Sequence, residues 1–404
     1  MLLSEGINQG YVIPTEYTRK LTIDGITRSH QVYQIRLDKL YYNDQNDRIA
    51  TWVSKYKEEN NVKSLDVLSP DYNSIIEKFI YESNPQAIEK TKKNIELVGQ
   101  REPGVVLNDG RVVDGNRRYT CLRKINELNS NKKHFEAVIL DRDIKENKKE
   151  IKLLELSIQH GEEGKIDYNP IDRLVGLYND VIKNQLITVD EYQKTVNESK
   201  AVINKKIEQA DLMIEFLDFI GAPEKFYIAR DLELDGPLSE IPAILNKVRT
   251  EDEKEDLKLI IFSNLLIKPK GDITRFIRKI KTIVDSEHVH DFMEEQLEFV
   301  EETAEKVADF NDISSKTINN EFRSDEALQD KMVRSLEKYE IKTKKDLTRV
   351  KPVQDMQKIY TILKSIDQSM IVKLNVEEKE ELHQVVEACK DELDNVLLKL
   401  GKNN

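Results

Sequence analysis

The 404-residue chain has only two cysteines, ten prolines, fourteen glycines and one tryptophan. Cys121 and Cys389 lie far apart and fit no metal-ligand spacing. That excludes a disulfide framework and a cysteine-built zinc site, and it points to a reducing, cytoplasmic compartment. The six histidines form no ligand set; His288 and His290 are a lone surface-type pair, and no metal site is expected. No apolar run approaches the roughly eighteen residues needed to cross a bilayer, so no membrane association is expected. The opening MLLSEGINQGYVIP lacks the basic flank and apolar core of a secretory leader. No glycine-rich loop precedes NESKAV or SSKT, which excludes a P-loop at either place. Internal repeats and low-complexity tracts are missing too.

What is present is charge. Charged residues make up 34% of the chain against 39% hydrophobic, the balance of a helix-rich protein with long solvated faces. The net charge of −12 is unevenly spread. Residues 1–150 carry 25 basic and 23 acidic side chains, while residues 151–404 carry 38 and 52. An acidic chain of this kind binds nucleic acid only through a local basic patch, since its overall field opposes the contact.

The pattern changes near residue 145. Before it, strand and helix signals alternate. IDGITRSHQVYQIRL reads as an Asp-Gly turn between β-rich segments, so residues 1–30 are an extension or a short hairpin. NDRIATWVSKYKEE is an amphipathic helix, and the region 64–98 is helical with a break at Pro85. GVVLNDGRVVDG reads as strand, turn, strand; YTCLRKINEL is a helix and FEAVILDRD a buried strand. Beyond, helical periodicity dominates, with breaks expected at 161–170, 221–223, 236–237 and 268–271. FMEEQLEFVEETAEKVADF and ELHQVVEACKDELDNVLLKL are long amphipathic helices suited to a bundle or to pairing with another chain.

The chemistry concentrates in VVLNDGRVVDGNRRYTCLRKI, residues 105–125. Gly115 sits where a strand must turn sharply into a helix. The first amides of a helix have no internal partner and present partial positive charge. An anion there is held by backbone donors, and arginines add bidentate contacts to phosphate oxygens. Arg117 and Arg118 in the first turn oppose the helix dipole, a local cost that a bound anion would offset. Equally, both arginines can simply pair with Asp109, Asp114 or Glu127. The residues leave the two readings open.

The run NIELVGQREPGVVLNDGRVVDGNRRYTCL, residues 94–122, resembles the N-terminal nucleotide-binding domain of ParB-type partition proteins, the ParB/sulfiredoxin fold. The shared pattern is a helix ending at Gly99, then Pro103, two strands about Asn108–Gly110, and a GERR-aromatic-RA box here written GNRRYTC. Upstream, IRLDKLYYNDQNDRI is similar to that family's opening strand and its Asn- and Arg-containing loop. LLELSIQHGEEGKIDYNPIDRLVGLYNDV resembles the helix that follows, with Asn169, Pro170, Ile171 and Asp172 in place of its Asn-Pro-Ile-Glu start. LITVDEYQKTVNESKAVINKKIEQADLM resembles the subsequent helix-turn-helix, capped at Ser199. The likeness spans residues 31–220.

It implies an α+β ParB/sulfiredoxin-like domain over residues 31–145, a helix-turn-helix-like domain over 146–235, and an acidic helical region over 236–404. It implies a nucleoside triphosphate, CTP or ATP with Mg²⁺, held by Asn46, Arg48, Gly99, Gln100, Asp114, Gly115, Asn116, Arg117 and Arg118. Lys200, Asn204 and Lys205 would face DNA, although residues 188–213 carry four basic against five acidic side chains. The C-terminal helices would serve a protein partner or a homodimer. The chain departs from the box at Asn116, where the family has a glutamate tied to metal-assisted handling of the nucleotide, and at Thr120, where it has a basic residue. Sulfiredoxins place their reactive cysteine at the Asn116 position, so thiol chemistry of that kind is not expected, and Cys121 is expected in the core. Asp114 is then the one carboxylate placed to act as a base or metal ligand; equally, it is a turn residue that caps the helix. The expected function is a nucleotide-dependent switch with weak or absent hydrolysis. Its rivals are a phosphotransferase or nuclease of the same fold, and a structural component of a mobile-element or phage-defence system.

Overall fold

A computed structural model describes residues 2–23, 25–128, 134–144, 146–161, 169–269 and 271–401. Strands β1 (Val12–Ile23), β2 (Ile26–Arg36), β3 (Tyr41–Tyr42), β4 (Gly104–Leu107), β5 (Arg111–Asp114) and β6 (His134–Leu140) form one mixed sheet. Their order is β1-β2-β6-β4-β5-β3. β6 runs parallel to β4 and antiparallel to β2, and β3 runs parallel to β5.

All four residues of β4 are buried, as expected of a short apolar strand covered on both faces. The period of two divides its neighbourhood between two cores. Val106 and Val112 point toward helices α1 (Ala50–Glu59), α2 (Tyr72–Ser83), α3 (Pro85–Val98) and α4 (Asn116–Leu128). Val105, Leu107 and Val113 point the other way, to Ile151, Leu154 and Ile158 of α5 (Lys148–Gly161). Cys121 is fully buried in the first core, as expected. Of the two readings of residues 1–30, an extension or a short hairpin, the structure has the hairpin. β1 and β2 pair along their length, and β2 continues past residue 30 to dock on β6, which gives the hairpin a place in the sheet.

Two turns are fixed by glycine. Gly110 closes the β4–β5 hairpin at φ +97, and a Cβ there would lie 2.5 Å from the Lys39 carbonyl. Gly115, at φ +96, is the second.

From residue 169 the described chain is helical: α6 (Pro170–Leu177), α7 (Val189–Val196), α8 (Lys200–Phe219), α9 (Phe226–Asp231), α10 (Asp235–Leu245), α11 (Glu251–Ile267), α12 (Ile273–Val284), α13 (Val289–Ala308), α14 (Glu326–Ser365), α15 (Gln368–Lys373) and α16 (Val376–Leu400). One apolar core runs through it from Ile171 to Tyr339. Breaks fall at Gly221 and Lys268, both with positive φ, where the sequence places them. The break expected at 236–237 is instead the first turn of α10, a position where proline lacks no hydrogen bond. The core of the break expected at 161–170, residues 162–168, lies outside the described residues. Met1–Glu340 forms one compact unit and Ile341–Asn404 a second. Among the described residues no helix is long and apolar enough to cross a membrane.

Candidate anion-binding site

β5 ends at Asp114, and the chain must reverse within one residue to start α4. Gly115 makes that turn at φ +96, and a Cβ on it would meet the Phe135 ring at 2.8 Å. The first intrahelical bond, Tyr119 N–H to the Gly115 carbonyl at 2.9 Å, comes only after Asn116, Arg117 and Arg118, whose amides face outward from the helix start.

A cavity of about 240 Å³ opens at this point. Its lining includes Asn46, Arg48, Asp114, Gly115, Asn116, Arg117 and Arg118, so seven of the nine residues implied for nucleotide contact converge there. Residues 43–48 reach it because they are braced from several sides. Arg111 stacks on Tyr41 at 5.2 Å and reaches Asn43 at 3.4 Å. Asn46, buried, accepts a hydrogen bond from the Arg48 amide at 3.0 Å and so caps the short turn that presents Arg48. Asp47 is held at 2.6 Å by Lys152 of α5.

The two remaining candidates do not line the cavity. Gly99 ends α3 at φ +79. Gln100 uses its amide as a clamp on β6, donating to the Glu136 carbonyl at 2.7 Å and accepting from the Glu136 amide at 3.0 Å. Both serve the fold at that position.

The adjacent arginines divide the two readings between them. Arg118 is an ion-pairing residue: it donates to Asp114 Oδ2 at 3.1 Å and to Glu102 at 3.0 Å. Arg117 has no ion pair or hydrogen bond among the described residues, and its half-buried guanidinium lines the cavity. Burial, and then the charges of Arg48 and Arg118, pull it down to about 10. A cation weakened in this way gains most from an anion arriving beside it. Asn116 is also buried, and its Oδ1 has no hydrogen-bond partner.

Asp114 is not a free carboxylate. Its Oδ2 also accepts from Arg19 of β1 at 3.0 Å, so two guanidinium groups occupy it and a metal ion or substrate proton would compete with both. Asp114, expected as a base or metal ligand, is thus engaged by both arginines. Nothing in the sequence signals Arg19, because its partner lies ninety-five residues away. Ile49, Ile80, Ser83, Thr91 and Gln159 also line the cavity without a motif to mark them.

On the other side of the 43–48 segment, a second cavity of about 570 Å³ shares Asn46 with the first. Lys152 in its floor faces Asp47 at 2.6 Å, Asp180 at 3.2 Å and Glu155 at 4.0 Å. Burial, outweighing the lysine, pushes Glu155 up to about 8 and Asp180 to about 6.

The candidate DNA-facing residues sit at the start of α8, where Ser199 caps the helix by accepting from the Val202 amide at 3.4 Å. Lys200, Asn204 and Lys205 are exposed there. Lys200 is paired with Asp190 at 2.9 Å, and Lys206 with Glu198. They lie outside the cavity at Gly115.

No protein-family model matches the sequence, and no curated protein matches it. Among solved structures, the chain is similar to a Pnob8-like ParB-N domain at 15% identity, over 66% of this chain and 97% of that one, with a TM-score of 0.38. It is also similar to the C-terminally truncated chromosome-partitioning protein ParB from Caulobacter crescentus, complexed with CTP-γ-S. That match has 14% identity, covers 52% of this chain and 92% of that chain, and has a TM-score of 0.19. Superpositions this loose transfer no ligand, reaction or partner.

Proposed function

We propose that the chain binds a nucleoside triphosphate, CTP or ATP, by its phosphates at the start of α4, and uses occupancy as a switch. The observation that carries this reading is Arg117, a half-buried cation with no ion pair among the described residues, lining a cavity at a helix N-terminus. Arg48 lines the same cavity from the other wall. Arginine side chains lining a cavity at a helix N-terminus suit phosphate oxygens, which accept several charge-assisted hydrogen bonds at once.

The lining does not build a magnesium site of its own. Asp114, the carboxylate in it, is engaged by two arginines, and Asn116 offers an amide where hard divalent cations prefer carboxylates. Mg²⁺ therefore fits only as part of the nucleotide complex, and the reading is of a site that binds rather than hydrolyses.

Occupancy has a route to the helical region. Asp47 lies between two cavity residues, and its carboxylate rests against Gly176 of α6, where a Cβ would come within 2.9 Å of it. Asp172 of α6 caps the adjacent helix by accepting from the Thr51 amide at 3.0 Å. An anion drawing on Arg48 thus pulls on a segment tied to the helices that follow. DNA contact through Lys200, Asn204 and Lys205, or contact with a protein partner, is the output this reading assigns. Isothermal titration of the full chain with CTP, ATP and GTP in the presence of Mg²⁺ tests it. Saturable binding of one of them, lost in Arg117→Ala, is the expected result; no binding of any of the three overturns it.

A further inference from the structure

Away from the cavity at Gly115, helices α1 and α2 leave a groove of about 600 Å³ between them. Its floor is Trp52 and Tyr56 of α1 with Ile75 and Phe79 of α2. Each pair stands four residues apart, and so on one face of its helix. Trp52 and Phe79 lie 6.5 Å apart between ring centroids, and Tyr56 and Phe79 5.6 Å. Phe79 is buried, but Trp52, Tyr56 and Ile75 are only half-buried, although they pack against the core beneath them. Arg230 covers one face of the indole at 4.1 Å. The floor is thus an extension of the core left open to water, and covering such surface gains about 25 cal/mol per Å². The loop joining the two helices holds one more apolar side chain outward. Asp66 braces it, accepting from the Leu68 amide at Oδ1 and from the Ser69 amide at its carbonyl, both at 3.0 Å. Leu68 on that turn is 90% exposed.

The rim decides what fits. Lys55 is paired with Asp231 at 3.5 Å and Lys78 with Glu82 at 3.9 Å. Glu59 and Asp71 also line the groove and have no ion pair among the described residues. The charge left over is negative, which repels the phosphates of nucleic acid and of anionic lipid. Both walls are helices, whose backbone amides and carbonyls are bonded to one another. An extended peptide finds no strand edge to pair with, whereas a helix brings its own hydrogen bonds and needs only side-chain contact. We propose that the groove between α1 and α2 docks an amphipathic helix of a partner protein. Large apolar side chains of that helix lie on Trp52, Tyr56 and Ile75, and its lysines or arginines stand beside Glu59 and Asp71. An aromatic floor with charge kept to the rim is the anatomy of such interfaces. The groove shares no lining residue with the cavity at Gly115, so the proposal stands apart from the nucleotide reading.

Trp52 is the sole tryptophan, so its emission reports on the groove directly. A displayed library of tryptophan-free helical peptides, about five turns long, is selected on the full chain. Enriched peptides are then titrated while the Trp52 emission is followed. Selection is expected to enrich large apolar side chains at spacings of three and four, flanked by lysine or arginine, and these peptides should shift the emission saturably. In a variant carrying both Glu59→Lys and Asp71→Lys their affinity should fall about tenfold or more. Both acids are exposed, so circular dichroism and the unfolding midpoint of that variant should match the wild type. No enrichment overturns the proposal, as do enriched peptides that leave the Trp52 emission unmoved, an affinity untouched by the double reversal, or a preference for acidic peptides. Emission that answers to single-stranded oligonucleotide, or to protein concentration alone, gives the groove to nucleic acid or to a second copy and overturns it as well.

Discussion

Lys152 and Asp180 are each 7% exposed in the first unit, whereas Val376 and Leu397 are 83% and 63% exposed in the second. Charge goes inside where partners meet it, and apolar surface stays outside where none does. The first unit can bury Lys152 because three carboxylates from different elements surround it. The second has two long helices, and among its described residues none past 343 is buried. Residue type alone does not decide which side of the surface a side chain takes; the availability of a complementary group does.

Removing a partner from the buried cluster should break the comparison most strongly. Lys152→Ala leaves Asp47, Asp180 and Glu155 facing one another, and a loss of about 3–5 kcal/mol is expected. Urea unfolding followed by fluorescence reads it directly, since Trp52 is the sole tryptophan and sits against Arg230 at 4.1 Å in the same unit. An unchanged midpoint would mean that the carboxylates do not depend on the lysine.

The arginine pair sharpens the contrast at the cavity. Arg118→Ala leaves the Asp114 carboxylate with Arg19 alone and should cost about 0.5–1.5 kcal/mol. Arg117→Ala removes a cation with no partner to strand, so the same unfolding curve should move by less than about 0.5 kcal/mol. Nucleotide affinity, read by titration, should fall by about tenfold or more in Arg117→Ala. Equal losses of stability in both variants would erase the distinction drawn between them.

Acid–base behaviour gives a smaller effect with a definite sign. Burial raises Glu155 to about 8, so the folded state keeps a proton that the unfolded chain releases near its ordinary value of 4.5. Its contribution is present below that value and is lost as pH rises toward 8. Glu155→Gln, which cannot ionise, should flatten this decline and gain about 1 kcal/mol or more at pH 8. A wild-type stability that rises over this window would contradict the cluster as drawn. Smallest of all, Leu397→Ser in the second unit should leave the unfolding of the first within about 0.5 kcal/mol, because it removes no buried contact.

Much of the fold near the cavity could be read from the chain. The two Asp-Gly steps, the strands on either side of Asn108–Gly110 and the helix that begins at Asn116 all appear where the sequence places them. The α/β region and the helical remainder also follow that order, and the cavity gathers the residues of the GNRR box with those of the upstream loop. The pattern failed where the deciding contact lay far along the chain. For residues 1–30 the hairpin was legible but its place in the sheet was not, because β2 pairs with β6 far along the chain. The clamp of Gln100 on Glu136 is a tertiary contact that no local pattern marks. Arg19 carried no signal.

The sequence by itself determined what short-range sterics and periodicity control. Gly110 and Gly115 had to take backbone angles that other residues resist, Ser199 had to cap α8, and the apolar spacings of α14 and α16 had to form stripes. The spacing of four between Asp114 and Arg118 is local too, whereas tertiary structure alone decided that Arg19 joins that pair and that Arg117 lines a cavity. Arg117 and Arg118 differ by one residue, hence by about 100° around a helix. That rotation turns one toward Asp114, where Arg19 has already arrived from another strand, and leaves the other lining an open cavity. An ion pair depends on where two side chains end in space, and no local pattern encodes that when the partners stand ninety-five residues apart.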